Sequence, residues 1–224
     1  MEALPRHGEL SSVTDWSIAH VTADAGTFHR GDPAAMRSAT VVWVVRPTLV
    51  LGSSQHTDAV DVRVASSLGI DIVRRRSGGG AVLLVPGEFV WVDLVVPAGD
   101  PLWRDDVGAA MVWVGRTWQS ALASVGVDSV VHDGAMEHRA WSRDICFTGL
   151  GTGEVVPTGG TVPRGKLVGI SQRRTRQWAR FQTMCHLRWR PELVSALVRA
   201  PRPAAAELAD RKSTRLNSSH GYIS

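Results

Sequence analysis

Cysteine is scarce: Cys146 and Cys185 are the only two among 224 residues. Neither belongs to a C-x-x-C pair or stands beside clustered histidines, which argues against a disulfide scaffold and against a zinc site. Long apolar runs are missing as well. No stretch reaches the length of a membrane span, and residues 1–6 do not lead into the apolar core of a signal peptide. These absences predict a cytoplasmic protein that is not membrane-bound. Excess charge is also missing. The formal net charge is +4, and residues 210–224, with three basic side chains and one acidic, supply half of it, leaving +2. That balance is too slight to argue for nucleic acid as a partner. The same tail reads as the translation of a common sequencing-library adapter from Asp210 to His220, with Ile223-Ser224 fitting its continuation. On that reading residues 210–224 are a cloning or assembly scar, and residues 1–209 form one domain whose native C-terminus is missing.

What is present is an ordinary globular composition, 44% hydrophobic and 21% charged, at a length that suits one domain with a sizeable core. Apolar spacing predicts a helix over residues 8–28 (Leu10, Val13, Ile18, Val21 and Phe28 inward) and strands over 40–45 and 48–52. A short helix over 58–68 follows, stopped by Gly69. Strands follow over 70–75, 81–85 and 88–96. In the last, Val90, Val92, Leu94 and Val96 make one face and Phe89, Trp91, Asp93 and Val95 the other, as in a central strand. Residues 103–125 read as a long helix with Met111, Val114, Trp118, Leu122 and Val125 inward. After a strand at 129–132 and an irregular polar stretch to Asp144, strands are expected around Cys146-Phe147, over 166–172 and over 179–187, then a helix over 191–198. The uneven alternation predicts an α+β fold, a mixed sheet with flanking helices, rather than a doubly wound sheet.

The stretch Arg74-Arg75-Arg76-Ser77-Gly78-Gly79-Gly80-Ala81-Val82 stands out, because three glycines in a row are costly to order. It reads either as a hairpin turn with a solvated basic edge or as a bare backbone that a ligand approaches, with amides and guanidiniums suited to oxygen anions. Cys146 and Cys185 each read blind as small buried apolar residues. Gly160 to Lys166 superficially matches the phosphate loop of NTPases, but Leu167 replaces the Ser/Thr that would hold magnesium, and a strand-like run follows. His132, Asp133, Glu137 and His138 fit no metal spacing and are explained by a polar loop, so no metal site is expected. Arg173, Arg174, Arg176 and Arg180 read as an acidic-partner or phosphate contact, or as a solvated edge.

Two motifs carry a family likeness. One is the R-R-x-S-G-G-G-A-V loop, met here from Arg75-Arg76 through Val82. The other is G-K-K-hydrophobic-x-G-I-S-Q-R-R, met by Gly165-Lys166-Leu167-Val168-Gly169-Ile170-Ser171-Gln172-Arg173-Arg174. Upstream stands Cys146-Phe147. Together they make the chain resemble the lipoate/biotin protein-ligase superfamily, within it the lipoate–protein ligases and the cysteine-dependent octanoyl or lipoyl transferases. The resemblance implies a mixed sheet wrapping an acyl-binding tunnel. It implies Cys146 and Lys166 as catalytic residues, with Arg75, Arg76, Ser77, Gly78, Gly79, Gly80, Ala81, Gly169 and Ser171 holding the acyl group or adenylate. Arg173 and Arg174 would contact the acceptor or a phosphate.

Lys166, among apolar neighbours with guanidiniums nearby, is expected to lose proton affinity and, if close to Cys146, to favour its thiolate. The implied reaction moves an octanoyl or lipoyl group through a Cys146 thioester to a lysine of the lipoyl domains of oxoacid dehydrogenases or of the glycine-cleavage carrier protein. The donor would be an acyl carrier protein, with no cofactor. The alternative is an ATP- and magnesium-dependent lipoate ligase working through a lipoyl-adenylate, and a non-catalytic acyl-binding relative is a third reading. The chain departs from the pattern at Leu83-Leu84-Val85, where ligases commonly have Tyr-His-Asp. It departs again at Gln182-Thr183, where many members have His-Gly, and in a Gly/Pro-rich insertion over residues 149–163.

Overall fold

The computed structural model describes residues 16–138, 140–158 and 165–209. Two sheets organise them. The larger has seven strands in the order β1 (Ser17–Ala23), β2 (Ser38–Val44), β6 (Phe89–Pro97), β10 (Trp178–His186), β9 (Val168–Arg174), β8 (Val155–Pro157) and β7 (Ser129–Val131). The smaller places β3 (Thr48–Leu51) between β4 (Asp71–Arg74) and β5 (Val82–Leu84). β1 runs parallel to β2 and β3 parallel to β4, while the other pairings are antiparallel. Each parallel pair needs a crossover. α1 (Ala25–Arg30) supplies the first and α2 (Val62–Ser67) the second. Both helices begin on an aspartate: Asp24 accepts from the Thr27 amide at 2.8 Å, and Asp61 from those of Arg63 and Val64. The fold is α+β with mixed sheets.

β6 lies inside the large sheet, between β2 and β10, and both its faces are covered as its composition predicts. On one side Leu94 and Val96 pack with Phe181 and Cys185 against Ala110, Val114 and Leu122 of α3 (Val107–Ser124). On the other, Phe89 and Trp91 meet Val42, Val44, Val50, Leu84, Phe147 and Met184, so this second core fills the space between the two sheets. α4 (Pro191–Leu197) and α5 (Ala205–Ala209) close the outer side of the small sheet through Val194, Leu197 and Leu208.

Several expected elements differ. The helix predicted up to Phe28 is instead strand β1 followed by α1, and the part before Trp16 lies outside the described residues. β1 is an edge strand that buries little, with Ile18 71% exposed, so its sequence lacks the strict alternation that marks a half-buried strand. The helix expected from Trp103 starts at Val107 because Asp106 caps it, accepting from the Ala109 amide at 2.6 Å, and Val125 lies past its end and exposed. The 58–68 segment splits into a one-turn 3-10 helix (Thr57–Ala59) and α2. Around Cys146 the chain forms a 3-10 turn (Cys146–Thr148), not a strand. β9 begins at Val168, so Lys166 precedes the strand rather than sharing its face. β8 lies in the segment read as a Gly/Pro-rich insertion. No helix of the described residues is long and apolar enough to cross a membrane.

Candidate active site

A cavity opens between the two sheets. Val50, Val82, Leu84, Trp91, Phe147 and Met184 make its walls apolar. Arg75, Ser171, Gln182, His29 and the half-buried Cys146 interrupt that lining with polar groups.

The glycine loop and the Cys146 turn are locked together by backbone. The Ala81 amide donates to the Asp144 carbonyl at 2.7 Å, and the Cys146 amide donates back to Ala81 at 3.0 Å. Gly80 permits this approach, since a Cβ there would stand 2.6 Å from the Cys146 nitrogen and 2.7 Å from the Ile145 carbonyl carbon. Gly79 has φ +97°, a conformation that favours glycine, and a Cβ there would lie 3.9 Å from the Cys146 sulfur. Ser77, on the same loop, donates to the Ser171 hydroxyl at 3.1 Å and so ties the loop to β9. Gly169, two residues before Ser171 on β9, leaves room for the Phe147 ring, which a Cβ would meet at 3.0 Å.

Arg75 is buried, 4% exposed, behind this loop. Its guanidinium donates to the carbonyls of Val50 (3.3 Å), Gly78 (2.7 Å) and Gly80 (2.9 Å). Burial pulls its pKa below the ordinary arginine value, opposed by attraction to Cys146. Lys166 is buried too, but its neighbour is a carboxylate rather than the expected guanidiniums. Its ammonium lies 2.7 and 2.6 Å from the two oxygens of Glu154 and donates to the Cys146 carbonyl at 3.0 Å, over the Phe147 ring. Glu154 also accepts from the amides of Gly151 and Ile170.

Cys146, Lys166, Arg75, Ser77, Gly79, Gly80, Ala81, Gly169 and Ser171 therefore meet at one place. Other predicted residues lie off it. Arg76 and Arg173 share the exposed carboxylate of Asp32. Arg174 is spent on the carbonyls of Arg104 and Asp105 and on the Trp103 ring. Cys185 faces α3, and burial pushes its thiol up to about 11. In the polar loop, His132 contacts the Ala135 carbonyl, and among the described residues no three His, Cys, Asp or Glu side chains gather as a metal site would need. Most of the stretch resembling a phosphate loop lies outside the described residues; β9 follows it.

Two site residues escaped the sequence reading. Glu154 is the lone charge in the Gly/Pro-rich stretch from 149 to 163, which could have flagged it. His29 left no such signal, since it follows a segment misread as one helix. It stacks on Trp91 (4.6 Å between centroids), and its Nδ1 accepts from the Gln182 amide at 3.0 Å. That amide also reaches Asp93, which is paired with Arg180.

Burial, aided by Arg75 and Arg180, lowers the His29 pKa from 6.5 to about 3. Below pH 6.5 the unfolded chain takes up this proton before the native one does. Native stability is therefore lost as pH falls from about 6.5 to about 3, at up to roughly 1.4 kcal/mol per pH unit from this group. Urea unfolding at pH 7 and pH 4 checks it: in His29→Gln the stability lost between them is smaller by about 3 kcal/mol. Equal losses in both proteins would show that the imidazole is not held neutral.

A model of the family described as lipoyl protein ligase A/B catalytic domain matches residues 28–217. The chain belongs to that family. No curated protein matches the chain in sequence. Among solved structures, this lipoyl protein ligase A/B domain resembles the bipartite lipoate protein ligase of Thermoplasma acidophilum, described with its E2 lipoyl domain. The TM-score is 0.61 at 14% identity, over 87% of this chain and 72% of that one. Lipoate-protein ligase A bound with ATP gives 0.61 at 13% identity, over 89% and 79%. P. falciparum LipL1 in complex with lipoate gives 0.59 at 7%, over 85% and 53%. At such identities the likeness establishes the fold.

Proposed function

We propose that the protein attaches an octanoyl or lipoyl group to a lysine of a lipoyl domain through a thioester on Cys146. The observation that carries this is the position of the thiol, half-buried in the wall of an apolar cavity and against the glycine loop. The acyl chain occupies the space between the sheets, where Val50, Leu84, Trp91 and Met184 remove its methylenes from water. Its carbonyl carbon lies at Cys146 and its oxygen beside the side-chain-free backbone of Gly78, Gly79 and Gly80. Cys146 attacks the donor thioester, the C–S bond to the enzyme forms as the donor's breaks, and the donor leaves as a thiol with the proton Cys146 gave up. The acceptor amine then forms a C–N bond, loses a proton, and Cys146 departs and recovers it. Lys166, braced by Glu154, holds the Cys146 carbonyl and with it the turn that aims the sulfur.

An ATP-dependent ligase acting through an acyl-adenylate is the second reading. The likeness to a ligase bound with ATP favours it, as does a buried arginine at the cavity that could receive a carboxylate or phosphate. In that case lipoate or octanoate, ATP and magnesium are the inputs, and Cys146 is a bystander. Intact-mass analysis after incubation with octanoyl–acyl carrier protein decides. The expected result is an octanoyl adduct on Cys146, absent from Cys146→Ser, whose transfer to a lipoyl domain falls roughly a thousandfold or more. Undiminished transfer by Cys146→Ser, with free lipoate and magnesium-ATP required, would establish the ligase instead.

A further inference from the structure

Two buried cations flank Cys146, and among the described residues only one has a counter-charge. The Lys166 ammonium sits between both oxygens of Glu154, itself 4% exposed. Arg75 has no carboxylate partner among the described residues. Its three hydrogen bonds go to neutral carbonyls, and its Nε has no hydrogen-bond partner among the described residues. A desolvated charge without a counter-ion is costly to keep, so a site that retains one is built for an anion that arrives or forms there. A group at the same cavity able to become one is the Cys146 sulfur. Arg75 Nη2 lies 3.0 Å, and the sulfur 3.9 Å, from the same point, the place a Gly79 Cβ would occupy, so the two atoms are no farther apart than those distances combined. Both residues line the cavity.

We propose that Arg75, and not Lys166, is the cation set against the Cys146 sulfur, and that it carries the negative charge on that sulfur as the acyl thioester forms and breaks. The inference rests on the thioester reading for its purpose. In the first half of transfer the thiol proton leaves and the sulfur's electron pair forms the C–S bond; in the second that bond breaks and the pair returns to sulfur. Both moments place a thiolate beside Arg75. Lys166, already neutralised, acts on the backbone of the turn.

The test compares alkylation of Cys146 by iodoacetate, an anion, with alkylation by iodoacetamide, which is neutral, at pH 7. An unmatched guanidinium beside the sulfur draws in the anionic reagent. The iodoacetate-to-iodoacetamide rate ratio in the native protein should exceed that of the same protein in urea by about tenfold or more. Arg75→Met should bring the ratio down to the unfolded value. The double variant Glu154→Gln/Lys166→Met, which removes the other pair together, should leave it within about twofold of wild type. Should Arg75→Met fail to fold, the native wild-type ratio still decides: one equal to the unfolded value overturns the proposal. So does a ratio that falls in the double variant and not in Arg75→Met. Neither reagent needs an acyl donor, so this result stands apart from whether the octanoyl adduct forms.

Discussion

Glu154→Ala should destabilise the protein by about 3–5 kcal/mol, the cost of stranding one member of a buried ion pair. Both partners are under 9% exposed, and the carboxylate is four-fold engaged: Lys166 at each oxygen, the Gly151 amide on one and the Ile170 amide on the other. Its removal leaves a buried ammonium without its counter-charge and takes the acceptor from the Gly151 and Ile170 amides. At this chain length the loss lowers the melting temperature by roughly ten degrees. The double replacement Glu154→Gln/Lys166→Met keeps the volume and removes both charges, so it should return to within about 2 kcal/mol of wild type. Thermal and urea unfolding of the three proteins checks the series. A single variant within about 0.5 kcal/mol of wild type would mean that the pair is solvated and that Lys166 is not braced. Activity should fall in both variants, because Lys166 no longer holds the Cys146 carbonyl.

How far the site could be read in advance follows from how each contact is made. The glycine loop stood out in the sequence by its composition and Cys146 and Lys166 only through the family resemblance, while β6 was legible as a strand covered on both faces because local composition carries that information. The charge arrangement was not legible. Arg75 and Lys166 are both basic and close to Cys146, yet one is matched and the other is not. The difference depends on Glu154, the residue just before β8, a strand hidden in a stretch rich in glycine and proline. A buried ammonium recruits the nearest carboxylate whatever its place in the chain, which is why the expected guanidinium neighbours gave way to an acid. The Cys146 turn looked like a strand for a related reason. Its residues suit one, but among the described residues its ladder contact is the isolated bridge between Ile145 and Ala81, after which the chain turns inward. His29 illustrates the remaining class. Only tertiary packing brings it from α1 onto Trp91 and Gln182.

Gly80→Ala should be the most damaging methyl group that can be added to the glycine loop, and the comparison along the loop isolates the reason. At Gly78 a Cβ would meet nothing within 4 Å, and at Gly79 the obstacle is the backbone angle, φ +97°, with strain on the order of 1–2 kcal/mol. At Gly80 the obstacle is other backbone: the Cys146 nitrogen and the Ile145 nitrogen and carbonyl carbon all lie within 2.7 Å of the new atom. No rotamer relieves such a contact. The loop and the turn must separate, and the paired hydrogen bonds between Ala81 and the Asp144–Cys146 segment stretch or break. The expected loss of stability is about 3 kcal/mol, the upper end for overpacking, whereas Gly78→Ala should leave the melting temperature where it was. The larger effect falls on chemistry. Moving the Cys146 turn by on the order of 1 Å carries the sulfur away from the acyl carbonyl and should reduce transfer about a hundredfold, even at temperatures where the variant is fully folded. Unfolding curves set beside single-turnover acyl transfer would separate the two. Full transfer activity in a folded Gly80→Ala protein would show that the loop's contact with the turn does not aim the thiol.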